Sequence, residues 1–160
     1  MNPAVDVVAG SPARRNSQST LTLFVDGACL GNPGPAGIGA VFVDADGNIV
    51  ARLSKSLGHA TNNIAEYLAL VYALSYAQRR GITALVVKTD SELMARQLSG
   101  EYKVRDATLH LFYDLVTNLR QGFASCSVEH ILRGGNAEAD KLAGAAAKRV
   151  GDTSLHILVD

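Results

Sequence analysis

Four carboxylates stand where a folded chain could bring them together. Asp26 ends the apolar run TLTLFVD, Asp90 ends ALVVKTD, Glu66 lies in TNNIAEY and Asp140 in GGNAEADKLA. Local explanations compete for each. Asp90 suits the N-cap of a following helix, and Glu66 an early helical turn, where the dipole favours an acid. Asn136 suits the N-cap of the last helix and Glu138 its first turn. That leaves Asp140 without a local task, beside the apolar Ala139, Leu142 and Ala143. Together, four acids near element ends point to a set of hard oxygen ligands. Crowded without a cation, they would raise one another's pKa. Mg²⁺ or Mn²⁺ removes that conflict, since both take carboxylate and water ligands. No His or Cys spacing fits a zinc site.

The elements that must position these acids follow from the pattern. TLTLFVD reads as a strand stopping on Asp26, followed by the loop GACLGNPGPAG. Residues 38–43 and 49–56 flank Asp46-Gly47-Asn48 and predict a hairpin. Residues 61–80 predict a long helix ending at Gly81, with Ala65, Leu68, Val71, Tyr72, Ser75 and Ala77 as its apolar positions. ALVVKTD is a second buried strand and SELMARQLSG a short helix. Residues 106–121 form a helix with Leu109, Phe112, Leu115, Val116 and Leu119 on one stripe. SCSVEHIL is a third central strand, GGN a break, and residues 137–150 an Ala-rich helix. LHILV is either an extra strand or a surface tail. A hairpin followed by alternating strands and helices gives an α/β class: a mixed sheet with helices on both faces. Chemistry in such sheets gathers beyond the carboxyl ends of the strands.

With 160 residues, 48% of them hydrophobic, the chain suits one core. Residues 1–19 are expected to be a mobile polar tail, 20–150 the catalytic domain and 151–160 a C-terminal tail. Arg14-Arg15 lacks the apolar region of an export signal. No apolar run approaches the ~20 residues of a membrane span, so the expectation is a cytoplasmic protein without a membrane partner. Two cysteines, Cys29 and Cys126, make no disulfide framework. The 15 basic residues balance 15 acidic ones; with four acids committed to metal, 15 − 4 = 11 acids remain, and the surface could accept a polyanion.

VDGACLGNPGPAGIGAV, TNNIAEYLAL, VVKTDSE and NAEADKLA, in that order, resemble the core motifs of type 1 ribonuclease H, from about residue 21 to residue 150. The resemblance implies the ribonuclease H fold, a five-stranded mixed sheet in the order 3-2-1-4-5. It implies that Asp26, Glu66, Asp90 and Asp140 hold metal, and that Gly27, Cys29, Asn32, Asn62 and Asn63 contact substrate. The implied activity is endonucleolytic cleavage of the RNA strand of an RNA–DNA hybrid, leaving 5′-phosphate and 3′-hydroxyl ends. Two Mg²⁺ ions (Mn²⁺ substituting) ~4 Å apart can activate a water and stabilise the departing oxygen. Asn amides and bare backbone suit the 2′-hydroxyls exposed in a wide minor groove.

Two features depart from the family pattern. The span before the last helix is only LRGG (132–135), with no histidine; His130 falls inside the strand pattern and reads as structural. Arg133 resembles the arginine of shorter-looped relatives, and is expected to contact the scissile phosphate or assist product release. Only GEYKVRD separates two helices where some members carry a basic protrusion. Lys103 and Arg105, with Tyr102 packed beneath them, are expected to supply remnant phosphate contacts, giving weak hybrid binding with a shallow salt slope. Alternatives are a silent hybrid-binding module, a nuclease of the same superfold that also cuts double-stranded RNA, and, more distantly, a small-molecule α/β enzyme. The last lacks a nucleotide loop. A monomer is expected.

Overall fold

A computed structural model describes residues 19–159. The tail expected over residues 1–19 lies, apart from residue 19, outside the described residues. The elements are β1 (Leu21–Cys29), β2 (Gly34–Val43), β3 (Ile49–Ala60), α1 (Asn62–Arg79), β4 (Ala84–Thr89), α2 (Glu92–Leu98), α3 (Ala107–Gln121) and β5 (Ser125–His130). A short 3₁₀ turn (Arg133–Asn136), α4 (Ala137–Lys148) and β6 (His156–Val159) complete the chain. Among the described residues no helix is long and apolar enough to cross a membrane.

The sheet runs β5-β4-β1-β2-β3-β6. Read from the other edge, it contains the expected order 3-2-1-4-5, with β6 added outside β3. β1, β4 and β5 are mutually parallel, while β2, β3 and β6 pair antiparallel. β5 is an edge strand, not a central one, and its side chains alternate between half-buried and exposed.

The hairpin turns where Asp44-Ala45-Asp46-Gly47-Asn48 allows. Gly47 adopts φ 85°, and the Asp44 carboxylate accepts from the Asp46 and Asn48 amides at 3.0 and 2.9 Å. Both hairpin strands are longer than the apolar runs indicated, so Gly34 and Pro35 belong to β2 rather than to the loop.

β1 does not stop on Asp26. It continues to Cys29, paired on one side only, with β2. What ends near Asp26 is its neighbour: the β1–β4 ladder closes at Val25↔Thr89.

Alternation along β2 separates two cores. Ile38, Ala40 and Phe42 join Leu23, Val25, Leu85 and Val87 against Tyr67, Leu70 and Leu74 of α1. Gly37 and Gly39 face the other way, onto α4. A Cβ on Gly39 would lie 2.4 Å from the Ala139 carbonyl oxygen, and one on Gly37 2.4 Å from the Ala147 nitrogen. Helices therefore cover both faces.

α1 buries Ala65, Tyr67, Ala69, Leu70, Ala73, Leu74, Tyr76 and Ala77, whereas Leu68, Val71 and Tyr72 are only partly buried. It packs on β1 and on α3 together, so two faces carry apolar residues and a single stripe misreads it. On α3 Leu109 and Val116 are buried, but Leu115 faces solvent at 43% exposure. Inside this core the Tyr67 hydroxyl donates to Gln97 Oε1 at 2.6 Å, tying α1 to α2. LHILV forms β6, an exposed strand against Ala51–Ser54, and Lys55 Nζ donates to the Thr153 carbonyl just before it.

Candidate active site

The β1–β4 register brings two of the four acids together. Asp26 follows Val25 and Asp90 follows Thr89, and Val25 and Thr89 form the last rung between the strands. Where β4 drops away, β1 alone carries Asp26 onward. Asp26 pairs with Gly39 across β2 and so shares the face on which α4 lies; it is 4% exposed. Asp90 is free of the capping role open to it in the sequence. The neighbouring Ser91 is the cap of α2, its hydroxyl accepting from the Met94 amide at 3.2 Å.

Glu66 is delivered by α1, whose first turn is capped by Thr61 Oγ1 accepting from the Ile64 amide at 3.2 Å. The helix presses against β1 at Gly27, where a Cβ would lie 2.4 Å from the Ala65 carbonyl carbon and 2.5 Å from the Glu66 nitrogen. Only glycine admits that approach. At this distance the Gly27 amide donates to Glu66 Oε1 at 2.8 Å. The clearance that Gly27 gives α1 and the hydrogen bond that holds Glu66 thus come from one residue.

Asp26, Glu66 and Asp90 each offer an oxygen within 4.8 Å of the others. Asp140, four residues into α4, lies close enough to Asp26 to raise its carboxyl. Burial, then the charges of Glu66 and Asp90, then Asp140, push the Asp26 carboxyl up to about 9. Burial likewise pushes Glu66 up to about 7, against the Gly27 amide, the hydrogen bond from Asp26 and the Arg133 charge, which favour its anion. A carboxylate set that repels itself this strongly suits a divalent cation with hard-oxygen preference. Asp26, Glu66, Asp90 and Asp140 would hold it.

The remaining residues singled out in the sequence fall in three places. Asn32 Oδ1 accepts from the Asn62 amide at 3.0 Å, so the loop after β1 is fastened to the start of α1. This brings Asn32, Asn62 and Asn63 to one exposed edge. The half-buried Cys29 directs its thiol to the Ala60 and Gly34 carbonyls at 3.0 and 3.6 Å, inside the base of that loop. Arg133 is exposed in the turn before α4, close enough to Glu66 to favour its charged form. Lys103 and Arg105 lie exposed between α2 and α3. Tyr102 does not pack beneath them; its ring lies under Arg96 at 5.5 Å, and Arg96 pairs with Glu92 and Glu101 at 2.8 and 2.6 Å. His130 is the last residue of β5, inside the strand as the pattern indicates, and its side chain is exposed. Both cysteines are free thiols.

Sequence reasoning missed two contributors. Gly37 and Gly39 set the approach of α4; a glycine pair inside a strand pattern was the available signal. Asn136 occupies the cap position of α4, yet its side chain makes no cap bond. Its amide donates instead to the Val25 carbonyl at 2.9 Å.

A family model described as "Reverse transcriptase-like" matches residues 24–146. The chain is 42% identical over 123 residues to ribonuclease HI of Halobacterium salinarum, covering 77% of this chain and 62% of that protein. It is 40% identical over 127 residues to a bifunctional protein of Mycobacterium tuberculosis, covering 79% of this chain and 35% of that one. The chain thus spans less than two thirds of the length of these relatives. The crystal structure of the Halobacterium enzyme, RNase H1, superposes with a TM-score of 0.77 at 40% identity, covering 79% of this chain and 96% of that one. LC11-RNase H1, solved in complex with an RNA/DNA hybrid, superposes with a TM-score of 0.77 at 37% identity, covering 81% and 97%.

Proposed function

The chain belongs to the type 1 ribonuclease H family, and on that premise we propose that it hydrolyses the RNA strand of RNA–DNA hybrids endonucleolytically, with Mg²⁺ as its cation and Mn²⁺ as a substitute. The observation that carries this reading is the convergence of Asp26, Glu66 and Asp90 within 4.8 Å, with Asp140 beside Asp26. These carboxylates would hold divalent cations, which when bound would supply water activation and charge stabilisation at the leaving oxygen. The protein's own groups do the rest. Gly27 keeps Glu66 oriented through its amide. Arg133, beside Glu66 and open to solvent, meets the phosphate of the strand being cut. The exposed edge of Asn32, Asn62 and Asn63 has the donors and acceptors to read 2′-hydroxyls. The hybrid bound to LC11-RNase H1 supports the choice of substrate. Lys103 and Arg105 add few phosphate contacts, which implies weak binding and a shallow salt slope. Two free thiols support a cytoplasmic setting.

The test compares cleavage of a labelled RNA–DNA hybrid, double-stranded RNA and duplex DNA in Mg²⁺, Mn²⁺ or EDTA, for the native chain and Asp90→Asn. Metal-dependent cutting of the hybrid RNA strand, lost in the variant, is the expected result. Hybrid binding without cutting in either metal would overturn it and leave a binding module. Cutting of double-stranded RNA as well would widen the specificity, since minor-groove reading of 2′-hydroxyls tolerates it.

A further inference from the structure

Asn136 is 1% exposed. Its Nδ2 donates to the Val25 carbonyl at 2.9 Å, while its Oδ1 is buried without a hydrogen-bond partner. A buried acceptor left unpaired costs stability. Helix capping does not explain keeping it, because this side chain does not cap α4, and Ser or Asp would cap as well. What the amide joins explains it better. Val25 immediately precedes Asp26 and forms the last rung of the β1–β4 ladder. Asn136 immediately precedes α4, with Asp140 one turn further on. One hydrogen bond therefore pins the start of the helix carrying Asp140 to the strand carrying Asp26.

The other tethers of α4 run to β3 and not to the strand carrying Asp26: Ser54 Oγ donates to the Leu142 carbonyl at 3.3 Å, and Arg52 pairs with Glu138 at 3.6 Å. Ala139, Ala143, Ala146 and Ala147 lie against Gly37 and Gly39. So smooth a contact fixes the distance of the helix from the sheet, but small side chains give little resistance to sliding along it. Asp140 is also the acid that falls outside the close set of three. A neutral donor is required at position 136. An Asp of the same shape would set an oxygen against the Val25 carbonyl oxygen and add a negative charge beside the other acids.

We infer that Asn136 is a positioning residue for the cation site, holding Asp140 in register with Asp26 through the Val25 carbonyl. This rests on the cation-binding reading of the four acids. The test measures thermal unfolding of the full chain during Mn²⁺ titration, for the native protein, Asn136→Ser, Asn136→Asp, Asp140→Asn and the double variant Asn136→Ser/Asp140→Asn. Ser restores a good helix cap but cannot reach Val25, so it is the variant designed to fold.

The expected result for Asn136→Ser is a melting temperature in EDTA within a few degrees of native, with the Mn²⁺ concentration for half-maximal stabilisation raised about tenfold or more. The KM for hybrid should move less than about threefold while kcat falls. Asn136→Asp should weaken Mn²⁺ binding similarly or more. In the Asp140→Asn background Asn136→Ser should add nothing further, because both act on one ligand. A native Mn²⁺ midpoint in Asn136→Ser would overturn the inference and leave Asn136 as a structural residue, as would additive losses in the double variant. No stabilisation of the native chain by Mn²⁺ would overturn the cation-site reading itself.

Discussion

The two faces of the sheet are built on different principles. Toward α1 the core interlocks large side chains: Leu23, Phe42, Leu53, Tyr67, Leu70 and Leu74. Toward α4 there is hardly a side chain to interlock, because Gly37 and Gly39 meet Ala139, Ala143, Ala146 and Ala147 nearly backbone to backbone. The first face buries apolar area, the main source of stability at roughly 25 cal/mol per Å². The second buries less and gains closeness, which the position of Asp140 needs. The one place where α1 imitates the α4 face is Gly27, and there too a helix is drawn in to deliver a carboxylate. Close backbone approach marks the turns that carry the acids, and bulk marks the supports.

The largest effect that would test this contrast is on the bulky face. Leu74→Ala should cost about 3 kcal/mol of stability through lost burial and a cavity, read by chemical unfolding, while the Mn²⁺ midpoint stays native. A shift of that midpoint would break the division of labour. Gly39→Ala should cost less, about 2 kcal/mol from overpacking, yet weaken cation binding several-fold by pushing α4 outward. If only stability changed, closeness on that face would have no link to the site. The smallest effect concerns protons. The folded Asp26 carboxyl is raised to about 9, so the cation-free fold keeps a proton that the unfolded chain releases near 4. That contribution is fully present at low pH and fades as pH climbs toward 9. Cations displace this proton, so saturating Mg²⁺ should raise the melting temperature more at pH 9 than at pH 6, by several degrees. An equal gain at both values would mean that the acids do not share their protons as described.

Much of the arrangement could be read from residue order. Asp26 and Asp90 each end an apolar run, and the Asp46-Gly47-Asn48 turn announced the hairpin, because these signals are local. The unreadable parts depend on partners distant in sequence. That β1 runs on to Cys29 follows from its pairing with β2 as far as Ala36, which no property of residues 26–29 encodes. The apolar positions of α1 are legible only in part: Ala65 and Ala77 are buried as the pattern indicates, but Tyr67, Leu70 and Leu74 escape it because the helix serves the sheet and α3 at once, which blurs its period. Asn136 holds the cap position of the last helix, as its sequence context indicates, but its side chain makes no cap bond. Asn can serve as a cap or as a tether to Val25, and only the folded neighbourhood shows which.

The buried bond from Tyr67 to Gln97 has an optical consequence. The chain has no tryptophan and five tyrosines, so its near-ultraviolet absorbance and emission are those of phenols. Burial, aided by the nearby Tyr113, raises the Tyr67 hydroxyl above the ordinary tyrosine range. In an alkaline titration the phenolate band at the red edge of the spectrum should stop short of five chromophores until the core opens. The lag between proton release and full absorbance would then report, without any label, the moment at which α1 and α2 part.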